Sequence, residues 1–199
     1  FNVAPLDAAV IDAATGEITS GTSGSTYDVL YTTTGTCPSS LIVSVTANTI
    51  DNASFTLAAT CDGADATITG TLGGTFTFNV SPIDGAVINA STGQVTGGSP
   101  GSTYDINYAT SGACAANTSE TVTVLATDDA NFTVTASCDG GTMVVSGTAG
   151  GTFSFQTAPS DGAIINSSTG LVSSGTSSAT YNIVYTTNGF CPSTLTLPL

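Results

Sequence analysis

The chain repeats itself with a constant period of 77 residues. The segment Phe78–Gly93 has counterparts at 1–16 and 155–170, so that 78 − 1 = 155 − 78 = 77. The same step relates Tyr27, Tyr104 and Tyr181, and no insertion or deletion interrupts it. A fixed period of this length, carried by strand-like segments, predicts a tandem array of small β domains joined end to end.

The period divides the 199 residues into three parts. We place one complete repeat at 51–127, a repeat lacking the end of its last strand at 128–199, and the C-terminal part of a repeat at 1–50. The part at 1–50 lacks its first two strands, which would leave unpaired edges and an open core. We therefore expect it to be completed by upstream residues or by a neighbouring subunit through strand addition.

The complete repeat contains seven short segments with strand character. Phe76 and Phe78 point to one face of a strand while Thr77 and Asn79 point to the other, which is the period of two expected of a half-buried strand. Asp-Gly and Gly-Gly pairs, which suit tight turns, separate the segments. The pattern predicts an all-β fold of tandem immunoglobulin-like β-sandwich modules. The predicted strands are 54–60, 66–70, 75–80, 86–89, 94–96, 103–110 and 120–126.

The charge balance excludes several classes of function. The chain has 14 acidic residues and no Lys, Arg or His, for a formal net charge of −14. Without a cationic side chain it cannot neutralise phosphates, which excludes nucleic acid binding and docking on anionic membranes. No apolar run approaches the ~20 residues of a membrane span, so we expect no direct membrane insertion.

Carboxylates are the only groups suited to acid–base chemistry, and the repeat tests whether any pair of them recurs. Glu17 becomes Gln94 and Leu171 in the other copies, so that position cannot serve a shared catalytic pair. Other acids do recur, but each precedes Gly or Ala in a predicted turn, where Asp has a structural role. The sequence therefore predicts a protein that is not an enzyme. The recurring acids are Asp7, Asp84 and Asp161, and Asp62 and Asp139.

Calcium is the one cofactor that the acids could bind. Asp128 and Asp129, with Asp51 at the equivalent place, lie at the predicted junctions, where an ion would rigidify the array and offset negative charge. The ligand count is low and no Asp-x-Asp-x-Asp-Gly loop is present. Solvated junction turns are therefore favoured over a metal site, and no cofactor is predicted.

Tyr104 opens the penultimate predicted strand. Immunoglobulin-like sandwiches often place there a corner tyrosine whose hydroxyl bonds to the backbone. An ordinary core aromatic residue explains the position equally well, and both interpretations stay open at this point.

The five cysteines indicate an oxidising compartment, where disulfides supplement thin cores. Each predicted complete module holds two, which predicts the bridges Cys61–Cys114 and Cys138–Cys191 and leaves Cys37 to an upstream partner. A closed loop of 114 − 61 = 53 residues would add about 4 kcal/mol of stability. In seven-strand order, however, the first and last turns lie at opposite ends of a sandwich, beyond the roughly 7 Å Cα limit of a disulfide. A bridge between modules, Cys61–Cys191, is the alternative.

The motifs resemble those of a known group of repeats. The stretch Thr92–Cys114, the Thr-Val-Thr-Val of 121–124 and the Ala-Ser-Cys-Asp-Gly-Gly of 136–141 are similar to repeats in the giant extracellular surface adhesins of gliding Bacteroidota, which are cargo of the type IX secretion system. The resemblance covers essentially the whole chain. It implies a secreted bacterial protein in which the repeats form a stalk or an adhesive filament.

These observations predict a non-enzymatic structural protein, an extended stalk, adhesin or filament of tandem immunoglobulin-like repeats. We expect a rod of sandwiches at constant spacing, located at the cell surface or outside the cell. Its expected partners are further repeats of the same chain or neighbouring subunits, and surface glycans or other cells. The alternative is a calcium- or carbohydrate-dependent binding module, which should gather exposed aromatic and acidic residues in the loops of one copy.

Overall fold

A computed structural model describes all 199 residues, and its regular elements are all β-strands. No helix in it has the length and apolar character needed to cross a membrane. We refer to residues 1–50, 51–127 and 128–199 as unit 1, unit 2 and unit 3. The strands are β1 (Val10–Ile11), β2 (Ile18–Thr19), β3 (Thr26–Thr32), β4 (Ser40–Thr46), β5 (Phe55–Ala59), β6 (Ala64–Ile68), β7 (Thr75–Phe78), β8 (Val87–Ile88), β9 (Val95–Thr96), β10 (Thr103–Ala109), β11 (Asn117–Thr123), β12 (Phe132–Ala136), β13 (Gly141–Val145), β14 (Thr152–Phe155), β15 (Ile164–Ile165), β16 (Val172–Ser173), β17 (Asn182–Thr186) and β18 (Thr194–Pro198).

Unit 2 is a sandwich of two antiparallel sheets. One sheet has the strand order β5-β6-β9-β8 and the other the order β11-β10-β7. The first, second, fourth and fifth strands of the unit form one sheet, and the third, sixth and seventh form the other. This is the arrangement of an immunoglobulin constant-type sandwich. Unit 3 repeats it, with β12-β13-β16-β15 in one sheet and β14-β17-β18 in the other. The predicted all-β tandem sandwich is confirmed.

Two predicted strands in unit 2 are displaced along the chain. The second strand begins at Ala64, because this fully buried residue pairs with Val95 of β9. The last strand begins at Asn117, because its pairing with β10 extends back to Ala109. The first contact is with a strand about 30 positions away and the second is with the other strand of a hairpin, and the local alternation of residues shows neither.

Units 2 and 3 each have their own hydrophobic core. The core of unit 2 is built around Phe55, Phe76 and Tyr108, with the rings of Phe76 and Tyr108 4.5 Å apart. In unit 3 the corresponding rings of Phe153 and Tyr185 lie 4.6 Å apart. No strand of one unit pairs with a strand of another. A single core shared by the whole chain is therefore excluded.

Unit 1 consists of two separate two-stranded ribbons, β1-β2 and β3-β4. The period relates these four strands to β8, β9, β10 and β11 of unit 2. The sequence interpretation counted two absent strands, but the counterpart of a third, β7, is absent as well. Phe1 corresponds to Phe78, the last residue of β7, so almost nothing of that strand remains.

The inner face of the β3-β4 ribbon is exposed as a result. Tyr31 is 70% exposed, whereas its counterpart Tyr108 is fully buried in unit 2. Leu41 and Val43, which pair with Tyr31 and Val29 on the same face, are 66% and 57% exposed. This apolar face is the part of the chain that a core would normally cover.

Candidate functional site

The candidate functional site is the junction between units 2 and 3, where Cys61 is bonded to Cys191. Cys61 lies in the turn between β5 and β6, and Cys191 lies in the turn between β17 and β18. Their Cα atoms are 5.4 Å apart, although 130 positions separate them in the sequence. The bond therefore joins two neighbouring sandwiches covalently.

Both predicted bridges within modules are wrong. Cys61 bonds to Cys191 and not to Cys114, and Cys138 does not bond to Cys191. Cys37, Cys114 and Cys138 are free, the first and last exposed and Cys114 half-buried. The pairing of Cys37 with a partner upstream stays a prediction.

The two turns of unit 2 that carry Cys61 and Cys114 lie at opposite ends of the sandwich. Thr60, next to Cys61, accepts a hydrogen bond through its carbonyl from the N–H of Leu125, at the C-terminal end of the unit, over 3.0 Å. The carbonyl of Cys114 accepts one from the N–H of Asp51, at the N-terminal end, also over 3.0 Å. The two turns thus lie at opposite ends of the strands. The Cys61 sulfur is bonded to unit 3, and the Cys114 sulfur lies 4.0 Å from the carbonyl oxygen of Asn48 in unit 1.

The turn that carries Cys61 is held tightly against its own sandwich. The N–H of Gly98 donates to the carbonyl of Asp62 over 2.7 Å. Gly63 follows, and a Cβ at that position would collide with the backbone carbonyl of Val95. The Cys-Asp-Gly sequence therefore fits this turn because only glycine allows β6 to start so close to β9.

Asp51 and Asp128 brace the turn that carries the second cysteine of each unit. The carboxylate of Asp128 accepts a hydrogen bond from the N–H of Gly189 over 2.9 Å, and that of Asp51 accepts one from Gly112 over 3.1 Å. The N–H of Asp128 also donates to the carbonyl of Cys191 over 2.8 Å. These two acids position the cysteine turn at the N-terminal end of the unit.

The third metal candidate, Asp129, takes no part in this brace. Its carboxylate accepts a hydrogen bond from the N–H of Asn131 over 2.9 Å. The structure contains no group of three or more acidic, cysteine or histidine side chains placed to hold a metal ion. The three candidates Asp51, Asp128 and Asp129 all hold backbone turns.

A tyrosine–aspartate pair recurs in every unit. The hydroxyl of Tyr104 donates to the carboxylate of Asp84 over 2.6 Å, which also accepts from the N–H of Ser99 over 2.9 Å. We call this pair the Tyr–Asp latch, since it ties the turn before β8 to the start of β10. Of the two interpretations left open for Tyr104, a corner tyrosine would bond to the backbone, but the hydroxyl donates to the side chain of Asp84. The counterparts of this pair are Tyr27 with Asp7 and Tyr181 with Asp161. In these two pairs the tyrosine hydroxyl oxygen also accepts a hydrogen bond, from the N–H of Thr22 and of Thr176 respectively.

The latch shifts the pKa of both partners. The hydroxyl of Tyr104, followed by the N–H of Ser99, holds the pKa of Asp84 well below its usual value. Burial, followed by the hydrogen bond to Asp84, raises the pKa of Tyr104. Near neutral pH the pair is therefore a carboxylate that accepts from a neutral phenol, and it acts as a structural contact.

Comparisons with known proteins give similarity in solved structures only. No family model matches the chain, and no curated protein matches it. Mouse Protocadherin-24 EC1-3 shares 10% identity with a TM-score of 0.34, over 98% of this chain and 87% of that one. Protocadherin Gamma B2 extracellular cadherin domains 3-6 shares 12% identity with a TM-score of 0.31, over 87% of this chain and 58% of that one. The chain spans 39% of the Protocadherin GammaB4 extracellular domain, at 13% identity and a TM-score of 0.32.

Proposed function

We propose that the chain is a non-enzymatic structural protein, part of an extended extracellular stalk, adhesin or filament. Unit 2 is its complete immunoglobulin-like domain, unit 3 is one that lacks the end of its last strand, and unit 1 is the C-terminal part of another. The observation that carries the proposal is the Cys61–Cys191 bond, which joins two separately packed sandwiches. Such a bond persists in an oxidising compartment. The motif resemblance to adhesins of gliding Bacteroidota supports a bacterial cell surface as its location.

The bond determines how the chain carries tension. When the two ends are pulled apart, force passes from β5 through the bond between Cys61 and Cys191 directly to β18. The 130 positions between the two cysteines then bear none of the load. At 3.3–3.6 Å per extended residue they represent roughly 450 Å of chain that cannot be pulled out. A stalk that must hold its length under shear benefits from this arrangement.

Single-molecule stretching of the whole chain tests the proposal. Adding a reductant should increase the fully extended length by roughly 450 Å, because units 2 and 3 can then unravel. Cys61→Ser should show the longer extension without reductant. Cys114→Ser removes a free thiol and should behave like the unaltered oxidised chain. Equal extension with and without reductant would show that the bond does not shield the two sandwiches, and would contradict the proposal.

We also propose that a repeat segment equivalent to residues 51–77 covers the exposed face of unit 1. In unit 2 that segment forms β5, β6 and β7, and its Phe76 ring packs against Tyr108. The same covering would bury Tyr31 and would half-bury Leu41 and Val43, as their counterparts Leu195 and Leu197 are half-buried against the core of unit 3. Such a segment can be supplied by an adjoining repeat or by a neighbouring subunit.

A synthetic peptide of residues 51–77 tests this covering. It should bind the whole chain and change its tyrosine fluorescence, and this change should be lost in Tyr31→Phe, because the chain has six tyrosines. A peptide with Phe76→Asp is the control and should not bind, since a carboxylate would replace the ring that contacts the tyrosine. Self-association of the chain through the exposed face, with no binding of the peptide, would contradict the proposed partner.

We do not propose the calcium- or carbohydrate-dependent binding module. The acids on which it would depend hold turns through Asp51 and Asp128 and form the latches through Asp7, Asp84 and Asp161.

A further inference from the structure

We infer that the segment covering unit 1 is bonded to unit 2, through a disulfide between Cys114 and a cysteine in the first turn of that segment. The bond rests on the proposed covering of unit 1 and deepens it, because it names the atom of this chain that fixes the covering in place. An adjoining repeat and a neighbouring subunit would both dock on the same residues, so the bond is the same for either.

Two backbone N–H groups hold the turn of Cys61 in unit 2. That of Gly98 donates to the carbonyl of Asp62 over 2.7 Å, and that of Leu125 donates to the carbonyl of Thr60 over 3.0 Å. The two acceptors are the residues directly before and after Cys61. These donors therefore fix the position of the cysteine from both sides.

Unit 1 has the same two donors without their acceptors. The counterparts of Gly98 and Leu125 are Gly21 and Asn48, since 98 − 77 = 21 and 125 − 77 = 48. Neither of these N–H groups donates to another group of the chain. Together they form a docking site for the residues on either side of a cysteine.

The end of unit 1 that carries Asn48 is already built as in unit 2. The N–H of Ala47 donates to the carbonyl of Ser25 over 2.9 Å, and its counterpart Val124 donates to Ser102 over 2.9 Å. The backbone beside the docking site is thus held in place before any segment covers the unit.

Cys114 lies beside one of the two free donors. Its Sγ is 4.0 Å from the carbonyl oxygen of Asn48, the residue whose N–H would hold the position before the incoming cysteine. A cysteine docked there, in the place that Cys61 has in unit 2, would bring its sulfur next to that of Cys114. The thiol of Cys114 is free and half-buried.

The turn of Cys114 is built like the bonded turn of Cys191. The carbonyl of Cys114 accepts from the N–H of Asp51 over 3.0 Å, and that of Cys191 accepts from the N–H of Asp128 over 2.8 Å. Cys191 is 2% exposed in its bond with Cys61, whereas Cys114 stays half-buried without one. The two cysteines therefore occupy equivalent places in successive junctions.

The other two free thiols are placed differently. Cys37 lies between β3 and β4, and Asn48 follows the far end of β4, so a strand's length separates Cys37 from the docking site. Cys138 lies between β12 and β13 of unit 3. Both are more exposed than Cys114, which makes them internal controls for reactivity that follows exposure alone.

The bond forms by thiol–disulfide exchange, with a small disulfide such as oxidised glutathione as the oxidant. The thiolate of the segment's cysteine attacks one sulfur of the oxidant, forms a mixed disulfide and releases one small thiol. The thiolate of Cys114 then attacks the sulfur of the segment's cysteine and releases the second small thiol. Two protein thiols lose two electrons and two protons, which reduce the oxidant to two thiols.

The peptide of residues 51–77 tests the bond, because Cys61 is its one cysteine. It is isotopically labelled, joined to glutathione as a mixed disulfide and added to the whole chain. Non-reducing mass spectrometry then identifies which cysteine of the chain it joins. Docking places the peptide sulfur beside Cys114 at a millimolar effective concentration, so with about 10 µM peptide the adduct at Cys114 should form roughly 100-fold faster than those at Cys37 and Cys138.

Three variants serve as controls. Cys114→Ser in the chain should lose the fast adduct, and Cys37→Ser should keep it. The Phe76→Asp peptide, which should not dock, should react slowly with all three thiols and show no preference for Cys114.

A peptide that docks, as judged by the change in tyrosine fluorescence, but leaves Cys114 free would overturn the inference and leave the proposed covering intact. A peptide joined at equal rates to Cys37, Cys114 and Cys138 would also overturn it, since reactivity would then not depend on docking. A peptide that does not dock contradicts the covering itself, and the bond with it.

Discussion

Breaking the Cys61–Cys191 bond should separate the unfolding of unit 2 from that of unit 3. The two units have independent cores and share no sheet, so without the bond each can unfold by itself. With the bond in place, unfolding one unit leaves a long closed loop tethered to the folded neighbour. That loop has less conformational entropy than a free chain, which opposes the unfolding of one unit alone.

The size of the effect follows from the loop lengths. Unfolding unit 2 alone closes a loop of about 67 residues, from Cys61 to Asp128, which costs about 4 kcal/mol in the chain-entropy model. Unfolding unit 3 alone closes a loop of about 64 residues at a similar cost. Unfolding both closes one loop of 130 residues, at about 5 kcal/mol. The bond therefore favours joint unfolding by about 3–4 kcal/mol over two separate events.

Scanning calorimetry of the oxidised chain should show units 2 and 3 unfolding in one transition. Cys61→Ser should give two transitions, with the less stable unit melting roughly 15–30 °C lower, since 1 kcal/mol shifts a domain of this size by about 4–8 °C. Cys114→Ser is the matched control, because it removes a sulfur that carries no bond. The reasoning is refuted if Cys61→Ser melts like the unaltered chain, or if Cys114→Ser shows the same loss.

Three further substitutions test the packing and the latch. Tyr108→Phe should lower the free energy of unfolding of unit 2 in urea by about 1–3 kcal/mol, because the carbonyl of Thr71 loses the hydroxyl that donates to it over 2.8 Å. The control is Tyr31→Phe, at the exposed counterpart, which should leave the free energy of unfolding unchanged. Equal losses in the two variants would contradict the prediction. Phe76→Ala should cost about 3–5 kcal/mol by opening a cavity in the core of unit 2, and an unchanged urea midpoint would show that the ring is not packed there. The lowered pKa of Asp84 means that the latch stabilises the fold above the ordinary Asp pKa of 3.8 and that this stability is lost as the pH falls further. As the pH falls from 7 to 2, the melting temperature should therefore fall less steeply in Asp84→Asn than in the unaltered chain. The same dependence of melting temperature on pH in both would argue against the latch.

The fold was predictable because its signal is local. The alternation around Phe76 and Phe78 and the Asp-Gly and Gly-Gly turns identify strands without knowledge of the distant chain. The displaced start of the second strand was not predictable in this way. Its position depends on the pairing of Ala64 with Val95, which are far apart in the sequence.

The pairing of cysteines could not be settled by counting them. The count favours two per module, whereas the topology places Cys61 and Cys114 at opposite ends and so forbids that bond. Both arguments follow from the sequence, and they give opposite pairings. The disulfide pairing depends on which turns lie at the same end of a sandwich, and this follows from the order and direction of the strands in the sheets.

The Tyr–Asp latch has a signal in the sequence. Asp84 and Tyr104 recur together, 20 positions apart, in all three copies. The sequence places the Asp in a turn and leaves the Tyr open between a corner and a core position, and neither interpretation joins the two. Their contact depends on a turn and a strand from different parts of the sandwich, so two constant positions at a constant spacing were the only available indication.

Disulfide mapping of the oxidised chain is the most direct test of the central claim, that successive sandwiches are bonded end to end. Trypsin has no site in a chain without Lys or Arg, so a protease that cuts after aromatic and leucine residues is needed. Non-reducing mass spectrometry should recover the peptide with Cys61 linked to the peptide with Cys191. Recovery of Cys61 linked to Cys114 would place the bond inside one sandwich and would contradict the account.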